Sequence, residues 1–321
     1  MKLKKILTTA VSLSLAISLV SSCNEESKKG KAEAEPTPKS VNAGECLPAS
    51  MVSKDKVKQA LSMFGNLEVV KIDKSPINGL YKVIIKAGGR YAVVYLDCKL
   101  QYAIIGSMID IQSKRDLTRE TMVKYQLEAQ KEKLELLKKK LGEKKFEELK
   151  KVLGSNIAQL MVVDLKNIPK EGTIIYGNPD AKYTVYVISD PECPFCAKLH
   201  ESIKEIVKKD KDVKFEIILF PLPFHPYAKG IAENIASQSS MEKRREILDK
   251  SFQAVSKRDS STLSELSKGN EKGEKIISEH KAFAKSVNLR GTPMIIFPEG
   301  IAIGGAIPTD LLYKMIEVLK K

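Results

Sequence analysis

Tryptophan is absent from this chain, histidine occurs three times, and aromatic residues of all kinds fill only 6% of its 321 positions. Single-strand nucleic-acid binders interleave stacking aromatics with basic side chains. The formal charge of +14, part of it carried by Lys2, Lys4 and Lys5, therefore does not read as a nucleic-acid surface. It suits a solvated basic face turned toward anionic lipid or acidic unfolded chains. Cysteine is also scarce, at five residues, and only Cys193 and Cys196 lie at short spacing. A structural zinc site would need two more Cys or His ligands at compatible spacing, so no metal is expected, nor any organic cofactor. The apolar run at residues 6–20 is shorter than the roughly 20 residues that cross a bilayer.

What is present starts with Asp190-Pro191-Glu192-Cys193-Pro194-Phe195-Cys196, which follows the strand-like run Tyr183 to Ile188 and opens a helix. Strand, Cys-x-x-Cys and helix in that order are the layout of a thioredoxin-like redox centre. Cys193 falls at the N-cap and Pro194 at the first helical position, where a missing N–H costs nothing. Unpaired amides and the positive end of the helix dipole favour a thiolate, which moves Cys193 below the free-thiol value of about 8.5 and makes it the nucleophile. Cys196, one turn later, can resolve a mixed disulfide. The competing reading of the pair is a structural disulfide without turnover.

Far downstream, Arg290-Gly291-Thr292-Pro293-Met294-Ile295-Ile296-Phe297 sets a proline at the head of an apolar run, where strands tolerate it. The segment resembles the Gly-Thr-Pro signature of thioredoxin-fold oxidoreductases. That resemblance implies a cis Pro293 lying against the cysteine turn, with Thr292 and Pro293 lining a substrate groove and bonding an extended peptide by strand addition. The alternative is an ordinary trans proline at a strand edge.

The first residues read as a secretory signal peptide over 1–22. Val20-Ser21-Ser22-Cys23 resembles a bacterial lipobox, which implies cleavage before Cys23 and its lipidation; the alternative is cleavage without lipid. Residues 23–45 read as a lipidated tether, polar over Asn24 to Ser40 and unable to bury a core. With Cys23 set aside, four cysteines allow three pairings. If Cys193 pairs with Cys196, Cys46 and Cys98 are left to form a structural disulfide, or to remain two buried thiols.

Residues 46–113 read as one helix followed by a meander of short strands, with turns at Gly88-Gly89 and Asp97-Cys98-Lys99. The runs Leu80-Tyr81-Lys82-Val83, Tyr95-Leu96-Asp97 and Ile105-Gly106-Ser107-Met108-Ile109-Asp110 look like the cystatin-like dimerisation domain of DsbC/DsbG-type thiol:disulfide interchange proteins. Taken with the cysteine turn and Gly291-Thr292-Pro293, the resemblance covers most of the chain. It implies an α+β cystatin-like domain over 46–113, a helical linker over 114–166, and an α/β thioredoxin-like catalytic domain with a helical insertion over 167–321. It further implies a homodimer in the bacterial periplasm that acts on unfolded or misoxidised envelope proteins and is recharged by a membrane thiol reductant of DsbD type. The chain departs from that pattern in four respects. No second cysteine pair lies in the catalytic part, Pro194-Phe195 replaces the Gly-Tyr of well-known isomerases, Val187 stands where thioredoxin has a buried acid six residues before the nucleophile, and the linker is longer.

In that linker Leu127, Leu134 and Leu141 recur every seven residues with Leu137 between them, which predicts a helix. Thr118 is the expected cap, Glu120–Lys124 and Glu135–Lys139 the expected ion pairs, and Gly142 the expected bend. A rigid arm that pairs across a dimer and a hairpin packed on its own chain are equally compatible with two heptads. His200 is expected to face solvent, and His225, between Phe224 and Pro226, to serve as turn structure rather than as a base. The function expected is a lipid-anchored thiol:disulfide isomerase or reductase of proteins. The rivals are a disulfide-donating oxidase and a chaperone-like scaffolding lipoprotein without redox turnover.

Overall fold

The computed structural model describes residues 46–321. The expected signal peptide, Cys23 and the 23–45 tether lie outside the described residues. Ser53 caps α1 (Lys54–Ala60) by accepting from the Lys56 N–H. The chain then runs through β1 (Leu67–Lys74), β2 (Leu80–Ala87), β3 (Arg90–Asp97) and β4 (Ala103–Ile104), an antiparallel sheet in that order. Gly88 and Gly89 both take positive φ, 55° and 77°, as a two-residue hairpin turn requires. Alternate residues Val83, Ile85, Val94 and Leu96 face Val57 and Leu61 to make a small core. Asp97 shapes the next turn by accepting from the N–H groups of Lys99, Gln101 and Tyr102. Cys98 follows it and is joined to Cys46 by a disulfide with a Cα–Cα distance of 5.2 Å.

A two-stranded ribbon of β5 (Ile109–Asp110) and β6 (Arg115–Asp116) leads into α2 (Leu117–Leu141). The cap differs from the expected one. Asp116 accepts from the Arg119 N–H, whereas Thr118 is buried and its hydroxyl bonds the Tyr95 hydroxyl and the Met108 N–H. The expected ion pairs are not formed among the described residues: Arg115 takes Glu120, Lys124 pairs with Glu128, and nearby Lys138 reaches Glu143 across the bend. Gly142, at φ 78°, ends α2 and starts α3 (Glu143–Leu153). Leu137, Leu141, Phe146, Leu149 and Leu153 join the main core, so this half of the linker packs on its own chain. Val123 and Leu127, on the first half, remain exposed.

Beyond it come β7 (Met161–Val162), β8 (Ile174–Gly177), β9 (Tyr183–Ser189), α4 (Pro194–Lys209) and β10 (Val213–Leu219). An inserted group of helices follows, α5 (Ala228–Ser237), α6 (Met241–Lys257), α7 (Ser260–Leu266) and α8 (Glu271–Ser286), and then β11 (Met294–Phe297), β12 (Ile301–Gly304) and α9 (Thr309–Leu319). The sheet order is β7-β12-β11-β9-β10-β8, with β9 and β10 parallel and the other pairs antiparallel. Val185 and Val187 face one core while Ile188 faces another that includes Phe283 of α8. A sheet covered on both faces needs such near-continuous apolar strands. Its first strand, at 161–162, lies upstream of residue 167.

Candidate redox site

The site sits where β9 ends and α4 begins. Cys193 is the N-cap residue of α4, in extended conformation, and Pro194 occupies the first turn. Apolar or buried positions at Cys196, Ala197, Leu199, His200, Ile203 and Ile206 follow helical spacing and fix this helix on the sheet. Both cysteines are free and buried. Phe195, between them, is 65% exposed, as is Phe224 nearby in sequence to His225 at 71%.

Across from this turn the Thr292–Pro293 peptide bond is cis. The Thr292 carbonyl lies 3.7 Å from Cys193 Sγ, within reach of its thiol as donor. Thr292 Oγ1 is buried without a hydrogen-bond partner, an uncommon state for a polar atom. Residues 99 apart in sequence thus meet because β11 pairs antiparallel with β9, Met294 opposite Ile188.

The two sulfurs differ in charge preference. A hydrogen bond from the Cys196 side chain lowers the Cys193 thiol to about 6; burial opposes this, and the amide groups of Cys196 and Phe195 assist it. Burial, and then the hydrogen bond and charge of Cys193, push Cys196 well above its ordinary value. The Asp190 N–H donates to Cys196 Sγ at 3.4 Å. Such an arrangement gives one nucleophile and one protonated partner a helical turn apart.

Asp190 was not singled out as a site residue by the sequence. It is fully buried, and its carboxylate accepts from the Glu192 N–H at 2.7 Å, the Leu222 N–H at 2.7 Å and His225 Nδ1 at 2.9 Å. Glu192 in turn accepts from the Tyr227 N–H. The Leu222–Tyr227 loop is thereby tied to the cysteine turn. His200 does not face solvent as expected. It is 1% exposed, bonds Asp249 through Nε2 at 2.6 Å, and stacks edge-on to Tyr176 at 4.6 Å. Val187 is a core residue. Among the described residues no group of three or more His, Cys, Asp or Glu side chains is arranged to hold a metal.

Comparison with known proteins accords with this geometry. A family described as "Thioredoxin-like domain" matches residues 171–320, and one described as "Disulfide bond isomerase protein N-terminal domain" matches residues 48–119. The thiol:disulfide interchange protein DsbC of Haemophilus influenzae is 30% identical over 184 residues, which cover 56% of this chain and 72% of that protein. This chain belongs to the DsbC family. The DsbC of Dickeya dadantii is 22% identical over 264 residues, 82% of this chain and 87% of that one. Among solved structures, Proteus mirabilis ScsC in a transitional conformation is 20% identical, covers 63% of this chain and 95% of its own, and has a TM-score of 0.43. As a DsbC-family member the chain is a thiol:disulfide interchange enzyme, an N-terminal DsbC-type domain and helical linker preceding a thioredoxin-like domain. No helix among the described residues is long and apolar enough to cross a membrane.

Proposed function

We propose that this DsbC-family enzyme isomerises or reduces misformed protein disulfides through the Cys193-Pro194-Phe195-Cys196 centre. The observation that carries the reading is the split between neighbouring sulfurs, Cys193 lowered to about 6 and Cys196 kept protonated. Cys193 thiolate attacks a substrate S–S bond, forms a mixed disulfide and releases one substrate thiolate. A substrate thiolate then displaces Cys193 in isomerisation, or Cys196 displaces the substrate in reduction and leaves the Cys193–Cys196 disulfide. Reduction moves two electrons to the substrate, so a membrane thiol reductant of DsbD type restores the pair. Thr292 and Pro293 border the entry to Cys193, and the unpartnered Thr292 hydroxyl together with exposed Phe195 and Phe224 suits an unfolded, partly apolar client.

In this reading residues 1–22 are the signal peptide and Cys23 carries the lipid that holds 23–45 as a tether in the periplasm. Residues 46–113 dimerise, 114–166 link, and 167–321 catalyse. Exposed Ile104, Ile105, Ile109 and Ile111, with Val123 and Leu127 on α2, support pairing of two copies, since so many large apolar side chains left in water within one stretch of chain suit an interface. The Cys46–Cys98 disulfide is structural and suits an oxidising compartment.

Refolding of a protein with scrambled disulfides tests the reading. The wild type accelerates recovery of native pairing, Cys193→Ala does not, and Cys196→Ala retains shuffling while losing net reduction. Recovery with Cys193→Ala equal to wild type would favour the scaffolding lipoprotein. The low Cys193 value also favours a second reading, a disulfide-donating oxidase, because stabilising the reduced pair strengthens its disulfide as an oxidant. Alkylation trapping in intact cells separates the two: a mainly reduced pair for the isomerase, a mainly oxidised pair for the oxidase.

A further inference from the structure

Cys193 is 4% exposed, so a client disulfide reaches it only by seating on the rim of the cysteine turn. What stands on that rim decides which clients seat well. From residue 137 onward, the described residues leave two large apolar side chains exposed, Phe195 at 65% and Phe224 at 71%. Single exposed apolar residues scattered over a surface are ordinary. Here the catalytic half keeps its large apolar side chains covered everywhere except beside its nucleophile. Phe195 lies between the two cysteines, and Phe224 stands on a loop bonded to residues 190 and 192 of the same turn.

That loop is braced. Pro221, Pro223 and Pro226 each fix a φ angle within it, and the His225 N–H closes a turn on the Leu222 carbonyl at 3.1 Å. The Leu222 N–H and His225 Nδ1 bond the Asp190 carboxylate, while the Tyr227 N–H donates to Glu192. The Asp190 carbonyl accepts the Cys193 N–H at 3.2 Å, so loop and nucleophile are held by one residue. The Phe224 ring stands edge-on to the His225 ring, centroids 4.7 Å apart. Its position relative to Cys193 is therefore set before any client arrives. An aromatic side chain on a rigid mount loses little freedom when a partner covers it, so most of the gain from removing its face from water is kept as binding.

We infer that Phe224 is a specificity-determining residue of the interchange reaction: together with Phe195 it receives an apolar side chain next to the client's cysteine, so that Cys193 attacks disulfides with apolar flanks faster than those with polar ones. The inference rests on the reading of Cys193 and Cys196 as the redox pair. In the selected step the Cys193 thiolate forms an S–S bond to one client sulfur, the client S–S bond breaks, and the electron pair leaves on the other client sulfur. Phe224 exchanges nothing in that step. It stabilises the encounter that precedes it and the mixed disulfide that follows. Because loop and nucleophile belong to one chain, the selection operates within a single copy and requires no second one.

Two short peptide disulfides of equal length and charge test this, each a symmetric dimer, with the cysteine flanked by leucine in one and by serine in the other. Acid-quenched time courses with the reduced full chain, read by mass spectrometry, give a second-order rate constant for each peptide. Wild type is expected to react about tenfold faster with the leucine peptide, the gain from partly burying a leucine side chain. In Phe224→Ser that preference should fall to about twofold, and Phe224→Leu should restore most of it. Phe224 is largely exposed, so neither variant opens the core. A wild-type ratio near one overturns the proposal, and so does a Phe224→Ser ratio equal to that of wild type. Equal slowing of both peptides in Phe224→Ser keeps the ratio, marks a merely structural role, and overturns it as well. Failure of wild type to react with either peptide would instead sink the redox reading itself.

Discussion

Ionisation of Cys193 links the redox site to stability. Its folded value of about 6 lies below the ordinary thiol value of 9.0, so the folded state binds the thiolate form more favourably than the unfolded chain does. The sign follows: the contribution is fully present above pH 9, where both states are ionised, and is lost as pH falls through 6, where both are protonated. Cys196, raised well above 9.0, is protonated in both states within that window and does not offset it. The reduced wild type should therefore gain on its Cys193→Ser variant by about 2 kcal/mol at mid-window, measured by denaturant unfolding at pH 6, 7.5 and 9. A difference independent of pH would contradict this. The cysteine turn was legible in the sequence because a cap, a proline and a sulfur are local neighbours. His200 was not, since its partner Asp249 lies 49 residues away on an inserted helix. His225 and Asp190, 35 apart, meet only when the Leu222–Tyr227 loop folds back. Removing the buried ring in His200→Ala should cost about 3 kcal/mol through the cavity and the lost bond to Asp249, which keeps Tyr176 and Lys204 as partners, with Cys193 reactivity unchanged. Thermal unfolding and alkylation read the two effects separately.

At the scale of elements, α2 and α3 illustrate what periodicity conveys. Leucines at helical spacing specified the helix and Gly142 its end, whereas the cap depended on tertiary contacts. The Thr118 hydroxyl is consumed by Tyr95 and Met108, which leaves Asp116 to satisfy the first turn. Asp116→Ala should cost about 1 kcal/mol, and Thr118→Ala should cost more because it strips two hydrogen bonds from a buried position. Gly142 has open space around it, so only its φ of 78° resists substitution. Gly142→Ala is expected to destabilise by about 1–2 kcal/mol, visible as a lower urea midpoint with an unchanged slope. The sheet order was less legible than the strands themselves. Met161–Val162 joins its edge by pairing with Ile301 and Ala302, a contact across the whole catalytic half that no local pattern announces.

For the whole molecule, two links bear on how the N-terminal unit serves the redox site. The Cys46–Cys98 disulfide closes a separation of 52 residues, for which loop entropy gives about 4 kcal/mol. Replacing both by Ser should lower the stability of that unit by several kcal/mol and weaken the proposed pairing of two copies, measured by sedimentation, while the Cys193 reaction with small disulfides persists. Arg290, which immediately precedes Gly291-Thr292-Pro293, donates to the Gly88 carbonyl at the tip of the β2–β3 turn. The N-terminal unit thus touches the loop that borders Cys193. The chemistry nevertheless rests on the ionisation of one sulfur, that of Cys193. Its most direct test is the alkylation rate of each cysteine in the reduced full chain against pH, resolved by mass spectrometry. Cys193 is expected to react with a midpoint near 6, and Cys196 to stay unreactive until strongly alkaline pH. Cys193 reacting like an ordinary thiol, with a midpoint near the unshifted 9.0, would contradict it.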